Sequence, residues 1–143
     1  MRRDIKRIVS YYVRKFQTTD PFEIADRLGV LYQIGEIGCE GCYMFLKNHR
    51  YIFLNQNLNE QERRMVMAHE LGHAVLHRKE NCYFIRNKTL LLNSKTEMEA
   101  NRFAAELLIR DDVLEEYKDM TIEQLARFFG YSKKLIELRL NRR

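Results

Sequence analysis

Two histidines and a glutamate lie within five residues of each other in the segment "AHELGH", as His69, Glu70 and His73. On an α-helix, residues four apart share one face and stand about 6 Å apart in rise, so both imidazoles can bind one ion. Glu70 is rotated about 100° from His69 and can reach the open coordination position as a general base toward water. The His-Glu-x-x-His pattern therefore predicts a hydrolytic Zn²⁺ site.

A third ligand must come from elsewhere in the chain. His77 lies about 12 Å from His69 along a straight helix, which is too far to share an ion whose Zn–N bonds are near 2 Å, so we interpret it as a packing residue or as a partner of a ligand. The following predicted helix offers three carboxylates, Glu97, Glu99 and Glu106. Glu97 and Glu99 point about 200° apart, so we expect only one of them to face the metal.

The phase of that helix favours Glu97. Its apolar arc contains Glu97 and Asn101 and is defined by Met98, Ala104, Ala105 and Leu108. Its polar side is formed by Glu99, Arg102 and Glu106. A carboxylate in an apolar arc needs a partner such as a metal, and Asn101, one turn later, is placed to orient a ligating histidine. A capping box with Ser94 is the alternative role for Glu97, and Thr96 with Glu99 has the same spacing, so capping leaves the choice open.

Composition narrows the class of protein. The chain has 143 residues, 45% apolar and 31% charged, which predicts one globular domain spanning 1–143. No apolar run approaches the roughly 18 residues of a membrane-spanning helix, and the basic amino terminus lacks the apolar stretch of a signal peptide. Three cysteines cannot all pair within one chain, which favours a reducing compartment, so we expect a cytoplasmic protein. Cys39 and Cys42 are interpreted as small residues at a turn rather than as half of a zinc knuckle or a redox pair.

The predicted fold is α+β: a mostly helical domain with a small three-stranded antiparallel sheet beside the histidine helix. Helices are expected at about 3–16, 21–28 and 94–109, with a long helix that begins after Asn57 or Asn59 and runs to about Arg78, and strands are expected within 30–37, 41–48 and 50–55. Gly72, a poor helix former inside the histidine helix, indicates a close approach by another element. The segment "DDVLEEYK" is expected to begin with an aspartate cap, and a helical hairpin at about 121–143 is split at Gly130.

Four motifs in this order resemble the ImmA/IrrE family of metallopeptidases: "DPFEIADRLGV", "AHELGHAVLH", "EMEANRFAAELL" and "IEQLARFFGYS". The resemblance covers about Asp20 to Leu140. It implies that His69 and His73 bind Zn²⁺, that Glu70 is catalytic, and that the acid ahead of the alanine–asparagine pair, matched to Glu97, is the third ligand of a gluzincin-like site.

The family resemblance also implies a substrate. Members cleave a helix-turn-helix repressor, often encoded beside them, and so switch on phage or mobile-element genes. This chain is similar to such an anti-repressor, although Arg110 stands where members commonly have proline, and the large sensor domain of longer members has no counterpart here. We therefore expect a zinc metalloendopeptidase with a repressor as its protein partner and no membrane association.

Two other functions remain open from the sequence. The hairpin resembles a helix-turn-helix, with Lys133, Lys134 and Arg139 on its second helix, so the chain could bind DNA itself. A plain hairpin packed on the protease core is the simpler interpretation of the same residues. Alternatively, the protein could bind a metal without catalysis and act by holding the repressor.

Overall fold

Helices and strands follow one another closely in the computed structural model, which describes residues 4–84 and 94–140. The helices are α1 (Ile5–Phe16), α2 (Pro21–Leu28), α3 (Glu60–Leu76), α4 (Lys95–Leu108), α5 (Asp111–Glu116), α6 (Ile122–Phe129) and α7 (Lys133–Leu140). The strands are β1 (Leu31–Gly35), β2 (Gly41–Leu46), β3 (His49–Asn55) and β4 (Cys82–Phe84). This confirms the mostly helical α+β class. None of the helices in the described part of the chain is long and apolar enough to cross a bilayer.

Local capping chemistry sets most helix boundaries. The Asp20 side chain accepts a hydrogen bond from the Phe22 N–H at the start of α2, and Gly29, at φ 75°, ends that helix in the left-handed conformation. α1 begins at Ile5, close to the predicted start at about residue 3, because Asp4 is its cap. The expected aspartate cap of α5 was wrong, because Arg110 precedes that helix and makes no side-chain cap.

The sheet differs from the predicted three antiparallel strands. It has four strands in the order β1-β3-β2-β4 among the described residues, and β1 pairs with β3 in parallel, while β2 is antiparallel to both β3 and β4. β3 lies between β1 and β2, so β1 and β2 are not neighbours. The connection between them is held by Asn55, whose Nδ2 donates to the carbonyls of Ile37 and Cys39 at 3.1 Å each. Strand propensity does not encode this order of pairing.

α3 lies at the centre of the fold and contacts β2, β3 and β4 as well as α2 and α4. Gly72 marks the closest approach of α4, because a Cβ added there would lie 3.0 Å from Phe103 Cβ and 3.2 Å from the backbone of Ala100. The absence of a side chain at Gly72 thus lets the two helices that carry the candidate ligands pack closely.

α4 buries more than one face, which corrects the predicted polar side of this helix. Glu106 is only 3% exposed, whereas Met98, expected in the apolar arc, is 48% exposed. The physical reason is that α4 packs against α1 and α7 as well as α3, so a two-sided division into core and solvent does not apply to it.

Candidate metal centre

The histidine helix places its three predicted site residues inside the protein. His69 and Glu70 are 0% exposed and His73 is 1% exposed. One ligand atom from each of the three lies within 4.8 Å of the others, which brings these potential donors within reach of a single ion. The four-residue spacing alone accounts for the two histidines sharing a face.

Glu97, in the first turn of α4, joins the two histidines. Its Oε1 lies 3.1 Å from His69 Nε2, and its Oε2 lies 3.1 Å from His73 Nε2. The Ser94 hydroxyl accepts the Glu97 backbone N–H at 3.3 Å, so the cap and the cluster use different atoms of one residue. Ser94 thus caps α4 through the Glu97 backbone, while the Glu97 carboxylate lies beside the two histidines.

Glu99 lies elsewhere. Its Oε1 lies 2.8 Å from Nε2 of His77, and the Glu99 side chain keeps 13% of its exposure. The expectation that Glu99 belongs to a polar, outward side of α4 was wrong, because α4 packs against α3 and Glu99 lies beside His77, one turn after His73. Glu97, and not Glu99, is the carboxylate that lies beside His69 and His73.

Burial and charge set the protonation of these groups. Burial lowers the pKa of His69 from its ordinary value, and the hydrogen bond to Glu97 opposes this only in part. Although burial raises the pKa of Glu97, contacts with His69 and His73 outweigh it and lower that pKa to about 2. A neutral imidazole and an ionised carboxylate are the forms that bind a divalent metal.

Asn101 lies where the sequence predicted, next to the site. It is 1% exposed, and its side chain lies close to His69. A hydrogen bond to the second nitrogen of a ligating histidine fixes the ring orientation and the tautomer.

The donor set fits Zn²⁺. Two imidazoles and one carboxylate are a common zinc combination that leaves a position for water. Within residues 4–84 and 94–140, no well-aligned hydrogen bond satisfies the buried Nε2 of His73, although Glu97 Oε2 is 3.1 Å away. A cation held by both atoms would satisfy that buried nitrogen. His69, His73 and Glu97 are thus the residues that could hold the metal.

Cys39 lies in the loop that enters β2, as expected for a turn residue, whereas Cys42 is the buried second residue of that strand. Cys39 Sγ donates to the Gly41 carbonyl at 3.2 Å. Burial, followed by the neighbouring Cys39 and Glu70, raises the pKa of Cys42 to about 11. Within residues 4–84 and 94–140, neither cysteine belongs to a cluster of three potential metal ligands. Nothing in the sequence indicated that these thiols lie near Glu70.

The C-terminal hairpin is built around buried groups. Arg139 is 1% exposed and pairs with Asp111, while Lys133 Nζ lies 3.1 Å from Glu123 on the surface. Arg139 therefore cannot serve as the DNA contact that the helix-turn-helix interpretation assigned to it.

Comparison with known proteins identifies the family. The Peptidase M78 family, described as the IrrE N-terminal-like domain, matches residues 25–141. The chain is 37% identical over 139 residues to "Uncharacterized immunity region protein 2" of Bacillus phage phi105, covering 94% of this chain and 88% of that protein. It is 28% identical over 142 residues to "Metallopeptidase ImmA" of Bacillus subtilis strain 168, covering 96% and 84%. The chain therefore belongs to the ImmA/IrrE family of metallopeptidases.

Proposed function

We propose that this protein is a zinc-dependent metalloendopeptidase that cleaves a helix-turn-helix repressor and so derepresses phage or mobile-element genes. The observation that carries the proposal is the convergence of His69, His73 and Glu97 beside the fully buried Glu70. In this proposal the first three hold Zn²⁺, and Glu70 is the general base.

Each residue has a defined task in peptide hydrolysis. When bound, Zn²⁺ supplies a Lewis acid that polarises the scissile carbonyl and lowers the pKa of water. A carboxylate oxygen of Glu70 accepts the proton of the attacking water and passes it to the nitrogen of the leaving amine. Asn101, whose side chain lies close to His69, orients the His69 ring. Burial of the cluster excludes bulk water and strengthens these interactions.

The repressor as substrate rests on the relatives. One relative is named as an immunity region protein of a phage and another as the metallopeptidase ImmA. Members of the family that this chain resembles act on repressors encoded nearby. A helix-turn-helix protein encoded next to this chain is therefore the substrate to test first.

The decisive variant is Glu70→Gln. Mixed with that repressor, zinc-loaded wild-type protein should produce discrete fragments, and the variant should cleave about 10²–10⁴-fold more slowly because it lacks the base. Both proteins should bind one equivalent of zinc. Glu116→Gln, a change at an exposed helical glutamate, is the matched control and should cleave like wild type.

Three outcomes would contradict the proposal in different ways. Equal cleavage by Glu70→Gln would remove Glu70 from catalysis. Zinc-loaded protein that binds the repressor without ever cutting it would show a non-catalytic anti-repressor. Protein that holds no stoichiometric zinc, with no effect of His69→Ala, would refute the metal site.

A further inference from the structure

A chain of side-chain contacts runs from the surface toward the candidate zinc ligand His73. Glu99 Oε1 lies 2.8 Å from His77 Nε2, and His77 Nδ1 lies 3.0 Å from His73 Nδ1. The side chains of His77 and His73 are 3% and 2% exposed, so the inner contact is shielded from water. The two imidazole rings stand 5.1 Å apart between centroids.

The direction of each hydrogen bond follows from the chemistry of the groups. An ionised carboxylate only accepts, so Nε2 of His77 carries a proton and donates to Glu99. Nδ1 of a neutral His77 is then an acceptor, and the proton in the 3.0 Å contact belongs to Nδ1 of His73. Nε2 of His73 is left with a lone pair, directed to the side where Glu97 lies.

We propose that His77 and Glu99 are positioning residues that fix His73 in the Nδ1–H tautomer, so that its Nε2 presents a lone pair to the metal. This inference rests on the proposed zinc site and assigns roles to two residues outside the ligand set. His73 Nε2 makes no well-aligned hydrogen bond in the described part of the chain although Glu97 Oε2 is 3.1 Å away, which is consistent with a lone pair on Nε2. Both are acceptors in this tautomer, and a cation between them removes their repulsion.

The two histidine ligands are thus supported in parallel ways. Asn101 lies close to His69, and His77, itself paired with Glu99, lies within hydrogen-bond distance of His73. Outer partners of this kind commonly change metal affinity or activity 10–100-fold when they are removed. The series of contacts from His73 through His77 ends at the carboxylate of Glu99. The negative charge of this carboxylate raises the basicity of the His73 imidazole.

The test measures zinc affinity by chelator competition and the histidine tautomers by ¹⁵N NMR. His77→Leu should weaken zinc binding about 10–100-fold and shift metal-free His73 toward the Nε2–H tautomer. His77→Asn should recover much of the affinity, because asparagine Oδ1 stands where His77 Nδ1 accepts. Glu99→Ala should also weaken zinc binding and shift the His73 tautomer in the same direction. Because Glu99 is only partly buried, this change should disturb the fold less.

His49→Leu, a change at the exposed fourth histidine, is the matched control and should bind zinc like wild type. A purely structural role for His77 would lower the unfolding midpoint without the asparagine rescue or the tautomer shift. If His77→Leu and Glu99→Ala both bind zinc as tightly as wild type, or if His73 keeps its Nδ1 proton in both, the inference is wrong. No peptide substrate is used, so this failure is distinct from a failure of repressor cleavage.

Discussion

The histidine cluster of His69, His73 and Glu97 lies between α3 and α4, and the arginine cluster of Arg139, Glu106 and Asp111 lies at the C-terminal hairpin. Both clusters bury charged groups between helices, but the two differ in what they do. Arg139 donates through Nε to the Ile109 carbonyl and through Nη2 to Asp111, and Nη1 lies 3.7 Å from Glu106 Oε2. Asp111 also forms an ion pair with Lys6, whose Nζ lies 2.6 Å from Asp111 Oδ2. These opposite charges join α1, α4, α5 and α7.

Buried atoms without a well-aligned hydrogen bond occur in both clusters among the described residues: Arg139 Nη1 and Glu106 Oε1 in one, and His73 Nε2 in the other. In the arginine cluster those atoms belong to groups of opposite charge, whereas the histidine cluster brings potential metal-ligand atoms within reach of a single point. A buried polar group without a hydrogen bond costs stability. The difference teaches that buried groups of opposite charge can compensate one another within the fold, whereas buried metal-ligand atoms that converge on one point are arranged to hold a cation.

Arg139→Ala should produce the largest loss of stability. Removal of one partner of a buried ion pair leaves Glu106 uncompensated at 3% exposure, so we expect the free energy of unfolding to fall by about 3–5 kcal/mol. Chemical denaturation measures this, with Arg127→Ala, at an exposed arginine of α6, as the control. A loss no larger than that of the control would mean that the arginine cluster is not a clamp.

Glu97→Gln should lower zinc affinity, whereas Arg139→Ala lowers stability, and this contrast distinguishes the two clusters. We expect zinc affinity to fall by more than the roughly 10–100-fold typical of a ligand's outer partner, because a charged ligand is lost. The stability of the metal-free protein should change little beside the Arg139 effect. Glu70→Gln is the comparison variant in the same chelator competition and should keep its zinc. Equal zinc affinity in wild type and Glu97→Gln would exclude Glu97 as a ligand.

Lys133→Ala should have the smallest effect. Its contact with Glu123 joins two side chains that are 57% and 55% exposed, and such surface pairs contribute little. The unfolding midpoint, zinc content and repressor cleavage should match those of wild type. A clear drop in the midpoint would show that the hairpin surface, and not only its buried arginine, stabilises this end of the molecule.

Local chemistry is what the sequence predicted best. The bounds of α2 follow from Asp20, Pro21 and Gly29, and the shared face of His69 and His73 follows from helical geometry, since each depends on residues within a turn or two of one another. The sheet was predicted less well, because the parallel pairing of β1 with β3 depends on how a connection of five residues is held by Asn55.

The same distinction between local chemistry and tertiary packing applies to the candidate site. The sequence by itself determined the His-Glu-x-x-His face and narrowed the third carboxylate to a few residues of one later helix. Only the tertiary structure decided that Glu97 lies beside His69 and His73, that Glu99 lies beside His77, and that Arg139 is buried. The physical reason is that helix periodicity fixes the direction of a side chain relative to its own axis, whereas the crossing of α3 and α4, made close by Gly72, fixes what that side chain meets.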